Sequence, residues 1–262
     1  VSVRIAILTS EDAPGLDALL LDPSRGPIYD VTTVISAGRL FDRSERLASH
    51  GIRFVSQPAP PRNLRDREQY DQDLRNIVGD ADFLFLDDYR YLVTAPLLDA
   101  FRGRIIVFHD GDLSETSQGH RRYTGMHSVR TALLAGQSHT RASAFVATED
   151  VGEGPLLLLG PPYPVSDLVA SALGRADLGD LELYAVLHRR WMVSDSYGVL
   201  LRKAAELLSL GTMHVTHDTV WVDGVPGPCR LGDAPAACWS ADSPPRRGIP
   251  SSCPFIQTEV EI

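Results

Sequence analysis

Short apolar runs alternate with amphipathic stretches through the N-terminal part of the chain. Residues 3–8, 29–35, 52–55, 83–86 and 105–108 are rich in β-branched and aromatic side chains, as expected of strands buried within a sheet. Between them, residues 15–20, 40–50, 66–78 and 97–101 carry apolar positions at helical spacing, with Gly51 as a C-terminal stop. Residues 57–62, Gln-Pro-Ala-Pro-Pro-Arg, must form a loop, because proline lacks the N–H that a helix needs. The alternation predicts right-handed crossovers and a parallel sheet.

After residue 109 the rhythm changes. Residues 110–125 are polar and contain glycine, too long for a tight turn, and read as an active-site loop or flap. A helix at 127–134 ending at Gly136, strands at 142–147 and 156–159, and helices at 184–188 and 197–210 follow. Residues 219–222 with the turn Asp223-Gly224 predict a terminal hairpin. The fold class is therefore α/β: a Rossmann-like, mainly parallel sheet with flanking helices, plus a C-terminal hairpin. One domain over residues 1–231 is expected, followed by an extended tail at 232–262 rich in Pro, Gly, Ser and Arg.

Composition narrows the partners. With 262 residues, 44% of them hydrophobic, the chain can bury a sizeable core. A net charge of −9 argues against nonspecific binding to nucleic acid or an anionic membrane. No apolar run approaches membrane-spanning length, and the start does not read as a signal peptide. Cys229, Cys238 and Cys253 match no zinc spacing and read as reduced thiols of a cytoplasmic protein, with one bridged pair in the tail as the alternative. A small-molecule substrate is the expected partner, with a homodimer left open.

Candidate chemistry gathers at predicted strand ends. In an open α/β sheet, ligands bind beyond the carboxyl ends of the strands, and His109 directly follows the 105–108 strand. Carboxylates occupy similar places: Glu11 and Asp12, Asp87 and Asp88, Asp110 and Asp112, Glu149 and Asp150, with Glu153 nearby. If they converge, the crevice is negative and suits a cationic substrate such as an amine, with Glu11, Asp12, Asp88 and Asp112 as its contacts. The same residue types also favour helix N-caps and exposed turns. One histidine among flexible acids in His109-Asp110-Gly111-Asp112 is too little to assign a metal site.

Five segments carry a family resemblance. They are Tyr89-Arg90-Tyr91-Leu92; the strand from Gly103 to His109; Gly125-Met126-His127-Ser128 with Ala132, Leu133 and Gly136; Val151-Gly152-Glu153-Gly154-Pro155; and Trp221-Val222-Asp223-Gly224. In order and spacing over roughly residues 3–225 the chain resembles the folate-dependent formyltransferases, in particular those acting on glycinamide ribonucleotide. The resemblance implies 10-formyltetrahydrofolate as co-substrate, met by Arg90, Tyr91 and Leu92 and by the positions of Val107 and Phe145. It implies His109 as the proton-transfer residue, assisted by Asp110, Asp150 or Glu153. Arg121 and Arg122 could meet the glutamate tail of a folate or stand in solvent.

The resemblance breaks at informative places. Family members place an asparagine at the position of Val107, an aspartate at that of Gly152 and a histidine at that of Phe145. Valine offers no side-chain donor for a developing oxyanion. The glycine-rich phosphate loop after the first strand is here Thr9-Ser10-Glu11-Asp12-Ala13-Pro14-Gly15, whose two carboxylates would repel a phosphate. The expected function is formyl transfer to an amine that is not a ribonucleotide. Two alternatives stand beside it: the same fold running another reaction, such as hydrolysis of the formyl donor or folate-independent chemistry, and a non-catalytic binding protein whose tail docks a partner.

Overall fold

The computed structural model describes residues 2–10, 13–38, 44–174, 178–216 and 219–232. Glu11, Asp12 and the tail from residue 233 onward lie outside these residues. In chain order the first half contains β1 (Val3–Thr9), α1 (Leu16–Leu20), β2 (Tyr29–Ala37), α2 (Ser44–Ser49), β3 (Arg53–Gln57), α3 (Leu64–Val78), β4 (Phe83–Leu86), α4 (Ala95–Ala100) and β5 (Ile105–His109). A small hairpin, β6 (Thr116–Ser117) with β7 (His120–Arg121), occupies the expected flap. Then come α5 (Ser128–Leu134), β8 (His139–Thr140), β9 (Ser143–Val146), β10 (Leu156–Leu159), β11 (Tyr163–Pro164), α6 (Asp167–Gly174) and α7 (Leu178–Ser209). The described chain closes with β12 (Met213–Thr216), β13 (Thr219–Val222), β14 (Val225–Pro226) and β15 (Cys229–Arg230).

Eight strands form one sheet in the order β15-β10-β9-β5-β4-β1-β2-β3. From β3 to β5 neighbouring pairs are parallel. The strand β9 runs antiparallel to both β5 and β10. Its short apolar run carries no sign of its direction, so the sequence could not reveal this reversal. Side chains alternate across the sheet. Ile5 and Ile7 join the core beneath α1, α5 and α7, whereas Ala6 and Leu8 join a second core with α3 and α4.

The two helices expected at 184–188 and 197–210 are one continuous helix, α7, of 32 residues. Its intervening residues include no proline, so nothing ends the hydrogen-bond ladder between the two apolar stretches. The terminal hairpin forms at its expected turn, and β12 extends it to a three-stranded sheet. Beyond it, β15 returns to the edge of the large sheet. Cys229 is disulfide-bonded, which replaces the reading of this residue as a reduced thiol. Among the described residues no helix is long and apolar enough to cross a membrane, and no group of three His, Cys, Asp or Glu residues is arranged to hold a metal ion.

Candidate active site

Strand β5 delivers the site. Val107 and His109 are partly exposed while Phe108 between them is buried, so the first two share the open face of the strand. The site is a cavity of about 170 Å³ at the carboxyl ends of β4 and β5. One wall is apolar, formed by Leu86, Tyr91, Leu92, Val107, Phe145 and Ala147. The far end is polar: Asp88, His109, Asp110, Arg189 and Tyr197. Thr124, Met126, Val151 and Gly152 close the remaining side.

The His109 ring is fixed by the flap segment. Nε2 lies 2.6 Å from the Tyr123 carbonyl oxygen. A carbonyl can only accept, so Nε2 carries the hydrogen and Nδ1 is the basic nitrogen of the neutral ring. Gly111 makes the contact possible, because a Cβ there would collide with the Tyr123 carbonyl and stand 3.0 Å from His109 Nε2. Nδ1 is 3.8 Å from Asp110 Oδ1.

Asp110 is the hub. Ser128 Oγ donates to its Oδ1 at 2.5 Å, and Arg189 Nε donates to Oδ2. Burial works to raise this carboxyl, but the charges of His109 and Arg189 and the Ser128 hydrogen bond outweigh it and hold it below the usual carboxylate range. Arg189 Nη2 also donates to Asp88 Oδ1 at 2.7 Å. Asp88 sits just past β4 with φ 53, a left-handed conformation that costs a non-glycine residue about 1–3 kcal/mol. Burial would depress the Arg189 guanidinium, yet the two carboxylates raise it above its ordinary value and keep it charged. Tyr197, fully buried, donates to the Phe108 carbonyl at 3.1 Å and ties α7 to β5; burial above all pushes its phenol well up.

The loop carrying Tyr91 and Leu92 is anchored from α3. Asp71 accepts from the Thr94 N–H at 2.6 Å and from its hydroxyl at 2.7 Å. Arg67 donates to the Leu92 carbonyl and lies over the Tyr91 ring. Burial raises the Asp71 carboxyl, partly countered by Thr94 and Arg67. The Arg90 N–H donates to Ser10 Oγ, and its guanidinium lies 3.6 Å from Asp88.

The family model for formyl transferase matches residues 3–161. The chain belongs to the formyl transferase family. The trifunctional purine biosynthetic protein adenosine-3 of Drosophila melanogaster is 28% identical over 160 residues, or 59% of this chain, and the chain spans 11% of that protein's length. Glycinamide ribonucleotide transformylase 1 from Symbiobacterium toebii superposes with a TM-score of 0.65 at 24% identity, covering 84% of this chain and 94% of that one. A formyltetrahydrofolate deformylase from Burkholderia mallei gives 0.61 at 18% identity, covering 85% and 70%. These structural likenesses speak for the fold. Membership itself places the chain, in coarse terms, among formyl-handling proteins.

Within this family member the expected site residues divide. His109, Asp110, Asp88, Arg90, Tyr91, Leu92, Val107 and Phe145 come together around the cavity. Asp150 and Glu153 do not: both are exposed and line a separate groove with Arg121, Thr219 and Pro228. They follow the antiparallel β9, whose C-terminal end lies beside the start of β5 rather than beside His109. Asp112 is also turned away, accepting from the N–H and hydroxyl of Ser114, with Arg141 at 3.7 Å. Asp87 is buried and accepts from the Gly15 N–H. Glu11 and Asp12 lie outside the described residues. The strongly negative crevice therefore does not assemble from the carboxylates described, because Asp88 and Asp110 are both paired with Arg189. Arg121 clamps the neighbouring loop, its Nη1 donating to the Gly152 carbonyl at 2.6 Å. Gly152 has φ +78, and a Cβ there would stand 2.9 Å from the Thr124 side chain.

Arg189, Tyr197, Ser128 and the Tyr123 carbonyl were missed by sequence reasoning. The two residues on α7 reach the site from 79 or more positions away, and no local spacing marks them.

Proposed function

We propose that this formyl transferase moves a formyl group from 10-formyltetrahydrofolate to an amine that is not a ribonucleotide, with His109 as the proton acceptor. The observation that carries the reading is the orientation of His109. Its Nε2–H is spent on the Tyr123 carbonyl, which leaves Nδ1 to take a proton, and Asp110 lies beside the charge so formed. The apolar wall with Tyr91 and Leu92 suits a flat ring of the donor, and the backbone of that loop is held firmly by Asp71 and Arg67.

Phosphate is a poor guest in the loop after β1. The Gly15 N–H, which could face an anion, donates instead to the Asp87 carboxylate at 3.0 and 3.3 Å. A carboxylate already seated there repels a second anion. The apolar Val107 and Phe145 and the side-chain-free Gly152 support a divergent catalytic centre within the family. Transfer assays with 10-formyltetrahydrofolate across a panel of amines test the proposal, and His109→Ala must lose the activity. No folate binding at high micromolar concentration would sink it.

Hydrolysis of the formyl donor is the second reading. It is favoured by the occupied Gly15 amide, since water needs no phosphate cradle. Turnover of 10-formyltetrahydrofolate without any acceptor, abolished in His109→Ala, would select it.

A further inference from the structure

The geometry points to Arg189 as a catalytic residue, its free Nη1 donating to the oxygen that becomes negative when the formyl carbon is attacked. The inference rests on the formyl-transfer reading above. Val107 and Phe145, facing each other across the β5–β9 ladder, provide no side-chain donor for that oxygen. Several polar side chains near this end are already engaged. His109 Nε2 serves Tyr123, the Tyr197 hydroxyl serves Phe108, the Ser128 hydroxyl serves Asp110, and the Thr148 hydroxyl serves the Asp150 carbonyl.

Arg189 differs from these. Nε is held by Asp110 and Nη2 by Asp88, while Nη1 has no hydrogen-bond partner among the described residues. The residue lines the cavity with 23% of its side chain exposed. Two carboxylates on different strand ends fix the guanidinium plane, so the donor is oriented before substrate arrives and needs no reorganisation during reaction. The same Asp110 that holds Arg189 also flanks His109. One carboxylate thus contacts both the proposed base and the cation.

The step balances as follows. The neutral amine nitrogen bonds to the formyl carbon, and the carbonyl π pair moves onto oxygen, which accepts from Arg189 Nη1. His109 Nδ1 removes the proton from the new ammonium. The oxygen pair then re-forms the carbonyl, the bond from carbon to the donor nitrogen breaks, and that nitrogen takes the pair and the proton held by His109. No oxidant or further reactant is required.

The test compares the wild-type chain with Arg189→Ala and Arg189→Lys, using 10-formyltetrahydrofolate and the best amine. Arg189→Ala should lower kcat by about 10²–10³-fold, the usual loss for an oxyanion donor, with KM for the donor and calorimetric binding of tetrahydrofolate within threefold of wild type. Added methylguanidinium should restore at least tenfold of the loss, which a purely structural role would not allow. Arg189→Lys keeps the positive charge; a loss of at least tenfold with an unchanged melting curve is expected, and this carries the test if the alanine variant does not fold. An active wild type with Arg189 variants within threefold in kcat overturns the role of Arg189 alone. Loss of kcat in step with tetrahydrofolate binding, without guanidinium rescue, also overturns it by showing a structural function. A wild type with neither transfer nor hydrolysis overturns the formyl-transfer reading and this role with it.

Discussion

His109 donates its Nε2–H to the carbonyl of Tyr123 at 2.6 Å, across a gap that only Gly111 leaves open. The tautomer of the proposed base is therefore set by a backbone group in the flap segment rather than by a carboxylate. Gly111→Ala should displace that carbonyl. Formyl turnover is expected to fall at least tenfold, with far-ultraviolet dichroism unchanged; wild-type turnover in that variant would show that the contact does not matter.

His109→Asn removes the basic Nδ1 and should cost about 10²–10⁴-fold in kcat, the span of general-base contributions. Steady-state kinetics with varied 10-formyltetrahydrofolate should show KM little altered. Equal loss in KM and kcat/KM, with kcat preserved, would recast His109 as a binding residue.

Val107→Asn would place an amide donor on the open face of β5. Transfer should rise by about tenfold or more if the reacting oxygen lies above this position, because one such donor is worth about 10²–10³ in related sites. An unchanged rate in a folded variant would place the oxygen elsewhere. The corresponding change at Gly152 should not succeed: Gly152→Asp meets both a positive φ and Thr124. A stability loss of about 1–3 kcal/mol is expected in urea titration, with part of it recovered by adding Thr124→Gly.

Asp71→Ala leaves Arg67 without its nearby carboxylate and frees the Thr94 backbone. Breaking such a buried pair typically costs about 3–5 kcal/mol. Tetrahydrofolate binding, followed by calorimetry, should weaken with it because the Tyr91–Leu92 loop loses its anchor.

His188 is buried beside Tyr184 and Trp191, hydrogen-bonded to Thr140, and burial pushes its imidazole from 6.5 down to about 4. The unfolded chain takes up a proton that the folded chain refuses. Its stabilising contribution is therefore complete above pH 6.5 and is lost as pH falls towards 4, by up to about 3 kcal/mol. Urea midpoints across that window should show the decline. His188→Gln should flatten it.

Much of the sheet was legible because its strands are short apolar runs ended by turn residues. The run at 83–86 and the strand ending at His109 coincide with β4 and β5. Direction was not legible at β9, and with it went the placing of Asp150 and Glu153. Half of the site's electrostatics was equally hidden. Asp88 and Asp110 read as two anions at strand ends, but their shared counter-ion arrives on a helix 101 and 79 positions later. A sequence shows formal charges and cannot show which of them cancel. Among the described residues, the acids expected to make a negative crevice do not do so for that reason.

The helix α7 begins at Leu178, past the last family-matched position, residue 161. The polypeptide thus behaves as a chassis and an insert. The matched segment furnishes the Tyr91–Leu92 loop and His109, while the later helix plugs in Arg189 and Tyr197. Grafting the equivalent helix from another formyl transferase would exchange the ionic wiring of the cavity without altering a residue of the matched segment. Conversely, a fragment ending at residue 161 would leave Asp88 and Asp110 without the cation that neutralises them, a half-built machine.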